Sequence, residues 1–122
     1  MKSDKKTLVL GASPNPERYA FRAANLLKSK GYEIVQLGKR TGVVAGQNIE
    51  TKAQFFDDIH TVTLYLGPQN QKEYYQYLIA LQPKRVVFNP GTENDELIKL
   101  LQKNGIETLE ACTLVMLNLG NY

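Results

Sequence analysis

The residues best suited to chemistry gather in Gly11-Ala12-Ser13-Pro14-Asn15, with Arg18 and Arg22 shortly after. An apolar run ends at that glycine and a helical pattern begins behind it. A strand that stops on glycine and feeds a helix start presents backbone N–H groups and the positive end of the helix dipole to one point in space, which suits a phosphate. Gly11 has no side chain to hold a ligand away. LGAS is only a fragment of the G-x-G-x-x-G fingerprint, so its meaning depends on its surroundings.

A second loop decides which phosphate. Dinucleotide-binding domains that take NAD end their second strand in Asp or Glu, which bonds the ribose hydroxyls. Here the same place reads Gln36-Leu37-Gly38-Lys39-Arg40. A carboxylate would repel a ribose phosphate, and Lys39 and Arg40 attract one. The loop therefore suits a nucleotide with an extra phosphate on its ribose, as in NADP or coenzyme A.

Catalytic candidates fare worse. His60 falls at the N-terminal end of the third strand, the edge opposite the ligand-facing loops, and Asp57-Asp58 before it read as solvated charges. Cys112 reads as a small packed residue at a helix start. Ser13 has no base near it in the sequence, so it reads as a phosphate contact rather than a nucleophile. No catalytic residue is assigned. With one cysteine and one histidine, neither an internal disulfide nor a Cys/His zinc site is expected, and no metal is assigned.

The elements that must position these loops follow from the apolar pattern. Thr7–Leu10 reads as a buried strand, followed by a helix with Ser13 or Asn15 as its cap, Pro16 in its first turn and Gly31 at its end. Residues 32–37 make a second strand. Residues 41–50 read as a loop with room for a short edge strand, and 51–57 as a short helix with Phe55-Phe56 turned inward. Residues 61–66 form a third strand closed by Gly67-Pro68. A helix follows from Asn70, with Glu73 as capping partner. Arg85–Phe88 is a fourth strand closed by Asn89-Pro90-Gly91-Thr92, then a helix opened by Thr92 and Asp95. A short fifth strand ends at Leu109, and a final helix spans 111–119.

Short apolar strands alternating with helices predict an α/β fold: a single doubly wound, mainly parallel five-stranded sheet with helices on both faces, one domain over residues 1–122. In such sheets ligands bind beyond the carboxyl ends of the strands, so the four loops share one edge. The chain's 43% hydrophobic and 22% charged residues suit a globular protein. No apolar run approaches the roughly 20 residues of a membrane helix. The charged start, Met1 to Lys6, leads into only a short apolar run and does not read as a signal peptide, so a cytoplasmic location is expected. A net charge of +3, scattered over Lys5-Lys6, Lys39-Arg40 and Lys84-Arg85, offers no continuous basic face for nucleic acid.

The run LGASPNPERYAFRAANLLKSKGYEIVQL, Gly46, the Gly67-Pro68 strand end and the late Cys112 resemble the small CoA-binding domain proteins, themselves similar to the nucleotide-binding part of the succinyl-CoA synthetase α subunit. The resemblance implies a Rossmann-like fold holding coenzyme A or an acyl-CoA. On it, Gly11, Ala12 and Ser13 line the phosphates, with Pro14 and Asn15 beside them. Arg18 or Arg22 pairs with the pyrophosphate, Lys39 and Arg40 beside Gly38 meet the phosphorylated ribose, and Gly67 and Pro68 border the adenosine or pantetheine path. Asn89, Pro90 and Gly91 replace the glutamine- and glycine-rich loop of many members. The expected role is a binding, sensor or accessory module without catalysis, with room for a homodimer or a partner subunit. The alternatives are a small NADP-binding oxidoreductase-like protein and an interaction domain with a vestigial nucleotide pocket.

Overall fold

The computed structural model describes residues 5–122; the first four residues of the charged start lie outside the described range. Seven strands form one sheet: β1 (Thr7–Ala12), β2 (Ile34–Gly38), β3 (Val43–Val44), β4 (Gln47–Glu50), β5 (Thr61–Leu64), β6 (Arg85–Phe88) and β7 (Glu107–Glu110). Their order is β3-β4-β2-β1-β5-β6-β7. Every neighbouring pair is parallel except β3 with β4. The chain moves outward from β1 through β2 to the hairpin, then returns to the other side of β1 with β5. The strand order reverses there, between β1 and β5.

Helices α1 (Tyr19–Ser29), α2 (Tyr75–Leu81), α3 (Asp95–Lys103) and α4 (Thr113–Leu119) cover both faces. Strand alternation divides the core accordingly. Leu8, Leu10, Val62, Leu64, Val86 and Phe88 pack with Leu78, Leu81, Leu97 and Leu101 of α2 and α3. Val9 and Val87 face the other way, onto Ala20, Ala24 and Leu27 of α1 and Met116 and Leu117 of α4. The small alanines let α1 lie close to the sheet.

The expected five-stranded sheet is thus corrected to seven strands. The two additions are β3 and β4, joined through Ala45 and Gly46 at φ 54° and 76°, the left-handed pair that a tight hairpin demands. A buried polar side chain holds them: Gln36 Nε2 donates to the carbonyls of Val44 at 3.0 Å and Gln47 at 3.1 Å.

Residues 51–57 form no helix. Phe56 packs on the core while Phe55 stands 69% exposed, because adjacent side chains there point to different sides. Three helix starts also move. Asn15 Oδ1 accepts from the Glu17 N–H at 3.0 Å and Arg18 is extended, so α1 begins at Tyr19 rather than Pro16. Short 3-10 turns at Pro68–Asn70 and Lys72–Tyr74 precede α2, which starts at Tyr75 instead of continuing from Asn70. Thr92 Oγ1 donates back to the Asn89 carbonyl, and Asn94 caps α3 by accepting from the Leu97 N–H.

At the opposite edge of the sheet, Tyr122 returns to the core. Its hydroxyl bonds Thr7 Oγ1 at 2.7 Å, its ring lies 4.5 Å from the Arg85 guanidinium, and its carbonyl accepts from Lys5 at 2.7 Å.

Candidate functional site

Four loops at the carboxyl edge enclose a cleft of about 790 Å³, within the roughly 300–1,000 Å³ of small-molecule sites. It sits over the reversal between β1 and β5, where open α/β sheets place ligands.

Its floor is Gly11, Ala12 and Ser13. Gly11 has φ 95°, and a Cβ there would stand 2.9 Å from the Tyr65 carbonyl carbon. Both facts demand glycine. Ser13 Oγ accepts from the Asn15 N–H at 3.1 Å, which leaves its own proton free to be donated. Pro14, Asn15 and Arg18 continue the wall toward α1.

The start of α1, like those of α2 and α4, carries no side-chain cap, but it is the one that opens onto the cleft. No side chain caps it and its first turn holds no acidic residue. By contrast, α3 has the Asn94 cap and Asp95 and Glu96 in its first turn. Helix starts normally satisfy their N–H groups with such residues. That of α1 is left to solvent or to an anion. Arg18, Lys39 and Arg40 border the same cleft, and among the described residues none of the three has a carboxylate within ion-pair distance. Among the described residues Glu17 is the one acid on the rim.

Gly67, Pro90 and Gly91 line the far side. Four expected residues are not brought to the lining. Gly38 is buried against β1, where a Cβ would meet the Ala12 carbonyl oxygen at 2.2 Å. Pro68 turns away into the first 3-10 turn. Arg22 stacks on the Tyr19 ring, 5.4 Å from its centroid. Asn89 is 2% exposed and fully committed inside: its Nδ2 donates to Thr63 Oγ1 at 2.8 Å and the Leu64 carbonyl at 2.9 Å, and its Oδ1 accepts from the Thr113 N–H at 2.8 Å.

Several participants escape a reading of the sequence. Tyr19, Tyr65, Asn70 and Thr92 border the cleft. Gln71, 1% exposed, staples the two far loops together. Its Nε2 donates to the carbonyls of Leu66 at 2.9 Å and Thr92 at 2.8 Å, and its Oε1 accepts from Asn94 Nδ2 at 2.9 Å. A glutamine in a polar stretch carries no sequence signal for this; its burial is visible only in the fold.

The Tyr65 hydroxyl is buried, close to the Thr63 and Thr113 hydroxyls, and among the described residues it makes no hydrogen bond of good geometry. Burial pushes this phenol up to about 12, with the adjacent Thr63 hydroxyl opposing. His60 lies at the other edge, bonded through Nδ1 to Thr61 Oγ1. Cys112 is half-buried at the start of α4, off the cleft lining. Among the described residues no three His, Cys, Asp or Glu side chains gather as a metal site, and no helix is long and apolar enough to cross a membrane.

The family model of the CoA binding domain matches residues 5–118. The chain belongs to that CoA-binding family. Its fold is similar to the crystal structure of an uncharacterized protein, at 51% identity and TM-score 0.94, covering 97% of this chain and 98% of the other. A hypothetical protein from Pyrococcus horikoshii OT3 is 28% identical with TM-score 0.83, over 91% of this chain and 80% of that one. The dinucleotide-forming acetyl-coenzyme A synthetase 1 of Ca. Korarchaeum cryptofilum shares the fold at 16% identity and TM-score 0.74, over 88% of this chain but 25% of its own. No curated protein matches the chain. For this CoA-binding domain the ligand class is a small molecule.

Proposed function

We propose that the cleft holds coenzyme A or an acyl-CoA, and that the protein is a binding, sensor or accessory module without a reaction of its own. The pyrophosphate lies on Gly11-Ala12-Ser13 and the start of α1, with Arg18 beside it. Lys39 and Arg40 take the phosphate on the ribose. Gly67 and the Pro90-Gly91 turn border the pantetheine arm.

One observation carries this reading: an uncapped, acid-free helix start shares its cleft with three cations that have no carboxylate partner among the described residues. Such an arrangement favours a ligand that carries several negative charges. The non-catalytic role is supported by the lining, whose ionisable side chains among the described residues include no nucleophile paired with a base.

Titrating the protein with CoA, 3′-dephospho-CoA, NAD and NADP while following thermal unfolding tests the assignment. CoA at about a hundred times its Kd adds roughly 2.7 kcal/mol of stability, and removing the 3′-phosphate reduces the gain. NADP is the second reading, because the same two cations suit its 2′-phosphate. Stabilisation by NADP above CoA, together with hydride transfer to a carbonyl, would replace the proposal. Indifference to the 3′-phosphate would remove the role given to Lys39 and Arg40.

A further inference from the structure

We infer that Tyr19 is an aromatic platform on which the purine base of the bound nucleotide stacks. The inference rests on the CoA reading of the cleft and adds a residue and a contact to it.

Tyr19 is the first residue of α1 and borders the cleft, yet it is 65% exposed. The other large exposed apolar residues, Val43, Phe55, Val115 and Leu119, do not line it. The cleft's second aromatic is Tyr65, whose ring packs into the core beneath α1 and α4. Among the described residues, Tyr19 is therefore the one aromatic ring that the cleft offers to a ligand.

The ring is also held. Arg22, one helical turn on, places its guanidinium carbon 5.4 Å from the Tyr19 centroid. A cation over one face restricts the ring and leaves the rest of its exposed surface for a planar partner. A purine is such a partner, because base–aromatic stacking needs only two flat π-faces. The placement suits the ligand as well. The helix start that receives phosphate and the platform are successive residues, so a base joined to its phosphates through one ribose is in reach of both.

The test compares Tyr19→Ala, Tyr19→Phe and Tyr19→Leu for affinity toward CoA, adenosine 3′,5′-bisphosphate and 4′-phosphopantetheine, the last two by competition with CoA. Stacking predicts at least about a fivefold loss with Tyr19→Ala for CoA and for the bisphosphate. It also predicts wild-type behaviour for Tyr19→Phe, a loss for Tyr19→Leu, and no change for phosphopantetheine. CoA carrying a fluorescent ethenoadenine base supplies a second readout: its emission is quenched on the wild-type protein and recovers with Tyr19→Ala. Unchanged CoA affinity in Tyr19→Ala overturns the inference, as does a loss confined to phosphopantetheine or ethenoadenine emission identical in both proteins. Each of those outcomes leaves the CoA assignment standing, whereas wild-type protein that binds no CoA ends both.

Discussion

Gly38 and Ala12 meet so closely, across the end of the β1–β2 pair, that a Cβ on residue 38 would stand 2.2 Å from the Ala12 carbonyl oxygen. The register between the strands shifts between Leu10 and Ala12, and this contact is where they rejoin. Ala12 is part of the cleft floor, so the glycine acts on the site through backbone packing. Gly38→Ala is expected to cost about 1–3 kcal/mol, since backbone must move to admit the methyl group. Urea unfolding measures the loss. On the proposed CoA reading, affinity falls with it because the displaced carbonyl belongs to the cleft floor.

Neutralising the basic loop separates charge from scaffold. Lys39 and Arg40 are exposed and make no ion pair among the described residues, so Lys39→Gln with Arg40→Gln leaves thermal unfolding close to wild type. Binding of CoA weakens by about tenfold, a figure discounted for solvent screening, and binding of 3′-dephospho-CoA changes much less. Equal losses for the two ligands in calorimetric titration would move the ribose phosphate elsewhere.

Asn89 gives the reverse pattern. Leucine there strands the Thr113 N–H and the Leu64 carbonyl inside the protein. A cost of about 2–4 kcal/mol follows from those unpaired groups. The variant that remains folded is expected to bind CoA within about threefold of wild type, since the side chain is buried off the cleft lining. A large affinity loss at unchanged stability would return Asn89 to the binding residues.

The Tyr65 phenol shapes behaviour in alkali. Its folded pKa of about 12 lies above the ordinary 10.0, so the folded chain keeps a proton that the unfolded chain releases. The stabilising contribution is complete below the lower value and is lost as pH rises through the window between the two. The slope from this group is at most about 1.4 kcal/mol per pH unit. Tyr77, also raised to about 12 by burial, adds to the same trend. Tyr65→Phe is expected to flatten the alkaline limb of a stability profile, because it removes the group that titrates there.

Legibility in the sequence divided along physical lines. Strands β1, β2, β5 and β6 are short apolar runs, buried on both faces, and periodicity finds them directly. The β3–β4 hairpin stayed hidden because Gln47, Asn48 and Glu50 are polar and its anchor, Gln36, is a buried polar side chain that no hydrophobic pattern reveals. Phe55-Phe56 suggested a helix through apolar character alone, although only Phe56 packs inward. The loops that line the cleft were legible because glycine and proline mark strand ends. Asn89 looked identical to a ligand residue by composition; its three internal bonds appear only when Thr63 and Thr113 come together from distant parts of the chain. Tyr19 passed unnoticed inside an amphipathic run, where a tyrosine resembles any other rim residue.

The Gln71 staple bears on how a ligand arrives. By tying the loops after β5 and β6 through the carbonyls of Leu66 and Thr92, it sets one bank of the cleft before anything binds. The cost of immobilising that bank has been met during folding, so little of the association energy is spent on it. Association then resembles docking into a rigid receptor, and its heat-capacity change reports the surface the ligand itself covers.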